Sequence, residues 1–408
     1  MDRSKDRSIS LRFGTLQGLY WMIFSPVSSF ASVYLLSKNF SNQNIGWVLA
    51  LNGILAVLLQ PSIGSLADRT PQIPLKAYVI AISVTCILML AALVLLQVNW
   101  VWIAVLYVLI LALLQTIQPL VNSMVYQYIN AGSSVSFGST RAIGSITFAV
   151  LSTVLGVWLN SHSPDTLPLI GGFIFVLLLV LVVFIPRVKG PAAVKALPSQ
   201  ETTPVKQVKG KSFFTKYGKF FVFLFGACTL FVFQTLINSY LVQIMTPLGA
   251  KKSAFGLALT IGAVSELPAF FGFTWITRRM HVSKLIKLAG VFFVVRSLIF
   301  LFARSVWAIY VGQVFQGLTF AVIIPAAVAY VDQIMEEGDK VKGQTFATGA
   351  MTLGGVISSL AGGWLLDHSS VHATLIFGSI SAVIGLLLMI YSVRGKADPV
   401  KAAAESGE

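Results

Sequence analysis

Charge is scarce in this chain. Only 11% of its 408 residues are Asp, Glu, Lys or Arg and 56% are hydrophobic, with a mean hydropathy of +0.84. A soluble domain carries about 25% charged residues, so an ordinary water-soluble fold is excluded. Cysteine is scarcer still. Cys86 and Cys228 both lie inside apolar runs, which excludes a disulfide framework and leaves both as packing residues. The four histidines, His162, His281, His368 and His372, fall in loops or at helix ends, where none is placed as an intramembrane metal ligand. The loops hold no acidic metal-binding cluster, no His-rich box and no Gly-rich nucleotide loop. An enzyme, an ATP-driven pump and a bound metal or cofactor are therefore not expected.

What the chain does have is long apolar runs. They lie near 13–37, 44–66, 75–97, 100–128, 137–160 and 166–186, then near 216–246, 253–276, 283–303, 305–335, 343–366 and 372–393. Each is close to the roughly 20 residues that cross a bilayer as a helix. Open sheet edges cannot sit in hydrocarbon, so the expectation is an all-α integral membrane fold of twelve transmembrane helices. The net charge of +15 is concentrated in alternate loops: Arg3 to Arg12, Arg69 with Lys76, 187–219, Arg278 to Lys287, Lys340 with Lys342, and Arg394 to Lys401. That pattern argues against nucleic acid as a partner. By the positive-inside rule it places both termini and the 187–215 stretch in the cytoplasm of a multi-pass cell-membrane protein. The charged N-terminus runs straight into a full-length span and reads as an uncleaved address.

The polar stretch 187–215 divides the chain into residues 1–186, with six spans, and 216–393, with six more, followed by a tail at 394–408. The stretch reads as a solvated cytoplasmic linker, with binding to anionic lipid as the alternative. The two sets resemble each other. Gly138 to Thr147 matches Gly343 to Thr352 at an offset of 205, Pro119 and Pro325 repeat at 206, and Gly64 and Gly272 repeat at 208. Duplicated six-helix units about an axis along the membrane normal build a central cavity in many transporters.

Between spans two and three stands Gly64-Ser65-Leu66-Ala67-Asp68-Arg69, with Lys76 opening the next helix. This resembles the G-x-L-A-D-R loop of the major facilitator superfamily, which implies a conformational latch at Gly64, Asp68 and Arg69. After Arg69 the sequence departs, with Thr70-Pro71-Gln72-Ile73-Pro74 where the family has a basic run. The second-half counterpart, Gly272 to Arg279, lacks the acid. Leu58 to Asp68, Phe137-Gly138-x-x-Arg141-x-x-Gly144, Glu266-Leu267 and Val295-Arg296 are further similar to the oligosaccharide:proton symporters, the lactose permease-like group.

That resemblance implies a sugar-hydroxyl ligand at Arg141, a stacking aromatic at Phe148, a shared sugar and proton residue at Glu266, and an arginine at Arg296 acting on the proton site. The family's tenth-helix Lys, His and Glu are replaced by Gln316, Thr319 and Val322, and its Asn after the eighth-helix Glu by Ala269. The proton machinery cannot be identical. The implied function is secondary transport of a small polar solute by proton symport, with the protein working as a monomer. Proton-coupled export of drugs or metabolites is the alternative.

The residues alone support these positions. A charge at a helix centre costs about 2.5–3.5 kcal/mol on insertion scales, which singles out Arg141, Glu266 and Arg296. Arg141 reads either as snorkelling to the interface or as a ligand fork. Glu266 reads either as a structural partner of Arg296 or as a proton carrier. Gln234 and Asn238, four apart on one helix face, join Gln115, Gln118, Asn122, Gln313, Gln316 and Thr319 as neutral hydrogen-bonding groups suited to a hydroxyl-rich ligand. The aromatics of the first span, among them Tyr20 and Trp21, read as packing.

Overall fold

The structure, a computed structural model, describes residues 3–96, 99–133, 135–186 and 213–393. The expected linker up to residue 212 and the tail from 394 lie outside them, as do the side chains of Arg3, Lys5 and Arg7. The described residues form twelve long helices in chain order, two of them broken by a turn. They are α1 (Arg3–Phe24, a π turn Ser25–Ser29, then Ala31–Ser37), α2 (Asn42–Arg69), α3 (Leu75–Leu95), α4 (Trp100–Asn130), α5 (Phe137–Trp158) and α6 (Thr166–Val183). There follow α7 (Gly218–Met245), α8 (Lys252–Arg279), α9 (Val282–Leu301), α10 (Val306–Val314, a 3-10 turn Phe315–Leu318, then Phe320–Ile334), α11 (Lys340–His368) and α12 (Val371–Ser392).

Ten of these are long and apolar enough to span a bilayer outright, and the 40° bend in α1 makes that broken pair the eleventh. Pro26 sits in the π turn at the bend, where a missing N–H and a fixed φ interrupt the helical ladder. The twelfth, α9, is 20 residues long but carries Lys284, Lys287 and the buried Arg296. A four-residue helix, Phe213–Lys216, begins inside the stretch expected to be linker.

Within the first six helices the main packings are α1 on α5, α2 on α4 and α3 on α6; within the last six they are α7 on α11 and α12, α9 on α12 and α8 on α10. The two sets meet along α2–α11 and α5–α8. Both seams close at the ends of the helices remote from Pro186 and Phe213, here called the far side, the opposite ends being the linker side. Small residues let the backbones touch there, as helices in lipid require. A Cβ on Gly46 would strike the Ser359 carbonyl, one on Gly363 the Asn42 carbonyl, and one on Gly156 the backbone of Gly256.

Polar bonds reinforce the far side. Ser32 Oγ donates to the Ser239 carbonyl (2.6 Å), Thr260 Oγ1 to the Ala149 carbonyl (2.7 Å), and Gln243 Nε2 to Asn42 Oδ1 (3.1 Å). Asp367, at the end of α11, accepts from the backbone N–H groups of Asn42 (3.1 Å) and Gln43 (2.7 Å) and from Asn42 Nδ2 (2.8 Å). Asn44 N–H is capped by Ser41 Oγ and Ile45 N–H by the Ser41 carbonyl. Three N–H groups that the start of α2 leaves without intrahelical partners, those of Asn42, Gln43 and Asn44, are thus satisfied, two of them by a carboxylate from the other set of six.

The linker side is different. Gly64 and Gly349 have open space where a side chain would stand, and a Cβ on Gly138 would meet only Ser136 Oγ at 4.0 Å. Asp68 and Arg69 are exposed and form no ion pair among the described residues. The residues expected as a latch are unbonded here, and the two sets part into a cleft at the ends that hold Gly64, Gly138 and Gly349.

Candidate functional site

The centre of the last six helices is organised by Arg296, fully buried on α9. Its guanidinium spends every donor. Nε donates to the Gly312 carbonyl (3.0 Å), one terminal nitrogen to Gln234 Oε1 (2.6 Å) and Thr319 Oγ1 (3.3 Å), and the other to Gln313 Oε1 (2.9 Å) and Gln316 Oε1 (2.8 Å). The break in α10 makes this possible, because the 3-10 turn Phe315–Leu318 turns Gln313, Gln316 and Thr319 toward one point. Gly317 carries that turn, since a Cβ there would meet the Ser265 carbonyl.

An arginine can only donate, so the Gln316 amide must present its oxygen to Arg296 and its nitrogen the other way. That nitrogen donates to Glu266 Oε1 at 2.7 Å. Arg296 and Glu266 are therefore joined through one amide instead of a direct ion pair. The other carboxylates whose side chains are described, Asp68, Asp165, Asp332, Glu336, Glu337, Asp339 and Asp367, stand in loops or near helix ends, which leaves Glu266 as the acid among them placed within a span.

Across the cleft, Arg141 on α5 acts electrostatically on Glu266, as Arg296 does from its own side. The Arg141 guanidinium lies 4.0 Å from the ring of Trp21 on α1 and donates to Ser145 Oγ (2.8 Å), one turn deeper on its own helix. The head group points inward along α5 and does not snorkel to the linker-side interface. Gly144 makes the arrangement possible, because any Cβ there would collide with the Trp21 indole. Phe148 meets the same ring edge to face at 6.3 Å. Arg141, Phe148, Glu266, Arg296, Gln234, Gln316 and Thr319 are thus brought to two facing walls.

The remaining expected positions divide. Asn238 is exposed on α7 and makes no side-chain hydrogen bond among the described residues. Gln115 donates to Asn52 Oδ1 at 2.9 Å. Gln118 donates to Asn122 Oδ1 at 3.1 Å, and so does Gln17 at 2.9 Å. Gln17 and Trp21 were not expected at the site. The signal for Gln17 was an amide inside an apolar first span; for Trp21 there was none, because an indole on an apolar helix reads as packing. A recess of about 740 Å³ on the far side, lined by Ser37, Asn160, Thr246, Lys251 and Lys252 among others, holds none of these groups.

This architecture has relatives. The family model described as "MFS_1 like family" matches residues 13–377, and the chain belongs to that family of major facilitator transporters. It is a transporter and not an enzyme. It is 27% identical over 94% of both chains to the uncharacterized transporter YwbF of Bacillus subtilis (strain 168), and 27% identical over 91% of both chains to the maltose permease of Geobacillus stearothermophilus. Among solved structures, the nucleoside transporter NupG superposes with a TM-score of 0.78 at 14% identity, covering 95% of this chain and 100% of that one. A bacterial homolog of the human lysosomal transporter Spinster superposes with a TM-score of 0.67 at 12% identity, covering 97% and 100%. At these identities the two structures speak for the fold alone.

Proposed function

We propose that this protein carries a hydroxyl-rich solute, a sugar or oligosaccharide, across the cell membrane by alternating access, with a proton as the coupling ion. The observation that carries the reading is the chain Arg296–Gln316–Glu266 facing Arg141 across the cleft. A carboxylate held by a neutral amide, between two arginines that belong to opposite walls, feels a different field whenever the walls separate. Closing the linker side and opening the far side changes the distance from Arg141 to Glu266, which gives the acid a reason to bind a proton in one state and release it in the other. The maltose permease relative supports a saccharide as cargo.

The roles follow from the bonds. Arg141 offers a planar fork to paired hydroxyls, and Phe148 with Trp21 offers ring faces to the apolar side of a sugar. Glu266 serves both substrate and proton. Arg296 holds Gln316, Gln234 and Thr319 in place; the Thr319 hydroxyl is already committed to Arg296 and to the Phe315 carbonyl, so it positions the arginine instead of meeting cargo. Gly64, Asp68 and Arg69 latch the linker side when it closes. That side is cytoplasmic by its basic loops, and one chain carries both walls, so a monomer suffices.

The test is reconstitution in liposomes containing a pH dye, with a screen of saccharides for substrate-driven acidification. Acidification by a saccharide, lost in Glu266→Gln and Arg141→Ala, is the expected result. Silence toward every saccharide, with proton flux driven instead by cationic amphipathic compounds in inverted vesicles, replaces this reading with export.

A further inference from the structure

The first wall holds polar atoms that the roles above leave unused. Gln17 is fully buried between α1 and α4, and its side-chain nitrogen is spent on Asn122. Gln118, one turn from Asn122 on α4, spends its nitrogen on the same oxygen. The Oε1 atoms of both glutamines are buried without a partner, and so is Nε1 of Trp21, one turn along α1 from Gln17. Turning either amide end for end exchanges which atom is free but still leaves one on each. Unpaired polar atoms in a low-dielectric interior are costly, and a pair of them joined through one asparagine is not a packing device.

Their position connects them to the cleft. Trp21 carries the Arg141 guanidinium on its ring and touches Phe148. Trp21 Nε1 thus stands beside the groups assigned to cargo, and the two glutamine oxygens lie on α1 and α4 of the same wall, with Gln17 one turn along α1 from Trp21. Two acceptors and one donor, added to the donors of Arg141, match a polyol that both gives and takes hydrogen bonds; they do not match an apolar or purely anionic solute.

We propose that Gln17, Gln118 and Trp21 are specificity-determining residues that read individual hydroxyls of the cargo. The two glutamine oxygens accept hydroxyl protons, and the indole N–H donates to a hydroxyl or ring oxygen. The assignment rests on the saccharide reading and narrows it. A site built to bond a hydroxyl discriminates against the analogue that lacks it much more strongly than an apolar pocket does.

The experiment is competition against uptake in liposomes by mono- and disaccharides and their monodeoxy derivatives. It compares wild type with Gln17→Met and Gln118→Met, which keep side-chain volume, and with Trp21→Phe, which removes the indole N–H and keeps a smaller ring beside Arg141. Thermal unfolding in detergent checks that each variant is folded. In wild type, at least one monodeoxy sugar is expected to compete about tenfold less well than its parent. The responsible variant binds the parent about tenfold more weakly and no longer distinguishes the two.

A variant that weakens every sugar and every deoxy derivative by the same factor shows a structural role and overturns the assignment while the transport reading stands. Wild type that recognises no saccharide overturns both. Variants with the wild-type deoxy profile and affinity overturn the assignment alone.

Discussion

Replacing Asp367 by Asn tests what holds the far side shut. The carboxylate accepts three hydrogen bonds from the first residues of α2, and it faces the positive end of a 28-residue helix. A hydrogen bond to a charged acceptor contributes about 1.5–3 kcal/mol and a neutral one about 0.5–1.5; an anion at a helix start adds about 0.3–1. Asn is isosteric and keeps one acceptor oxygen, so the substitution loses the charge and part of the bonding, about 2 kcal/mol before screening. Asp367 is exposed, and water and salt reduce this to about 1 kcal/mol.

The balance between a closed and an open far side then shifts by roughly fivefold, with no change expected within either set of six helices. Spin labels on exposed far-side positions, Ser161→Cys and His372→Cys in a Cys86→Ala, Cys228→Ala background, report the separation by double electron–electron resonance. A new long-distance population in Asp367→Asn is expected, with Asp367→Glu nearer to wild type. An unchanged distance distribution in a folded Asp367→Asn protein refutes the argument that this cap stabilises the closed state.

Other outcomes follow from the same geometry. Gly144→Ala drives a Cβ into the Trp21 ring; overpacking of this kind costs about 1–3 kcal/mol, and apparent substrate affinity in uptake assays should fall with little change in expression. Arg296→Leu leaves Gln234, Gln313 and Gln316 with buried unpaired oxygens, a loss of about 3–5 kcal/mol that thermal unfolding in detergent reads as a large drop in Tm. Arg141→Lys keeps the charge but loses the planar contact with Trp21 and the fork; about a tenfold loss of apparent affinity is expected from competition binding. Glu266→Gln should retain substrate exchange between equally loaded compartments while losing accumulation driven by a proton gradient, measured as counterflow against uphill uptake.

Hydrophobic run length determined the all-helical membrane fold and the approximate number of crossings, because a helix in lipid must satisfy its backbone internally over a fixed thickness. The ionisable residues placed within spans were legible for the same reason: Arg141, Glu266 and Arg296 stand out where any charge is costly. Their partnerships were not legible. A direct ion pair between Glu266 and Arg296 was a natural expectation, and only the 3-10 break in α10 inserts Gln316 between them, a feature of backbone geometry that apolar periodicity does not encode. Gln17 and Trp21 lie more than a hundred residues before their partners Asn122 and Arg141, and a contact across that separation exists only once α1 packs on α4 and α5. The state of the cleft was equally hidden. Asp68 with Arg69 marks a latch by its motif, yet whether it is fastened depends on which ends of the helices have met, and here the small residues and the Asp367 cap have closed the opposite one.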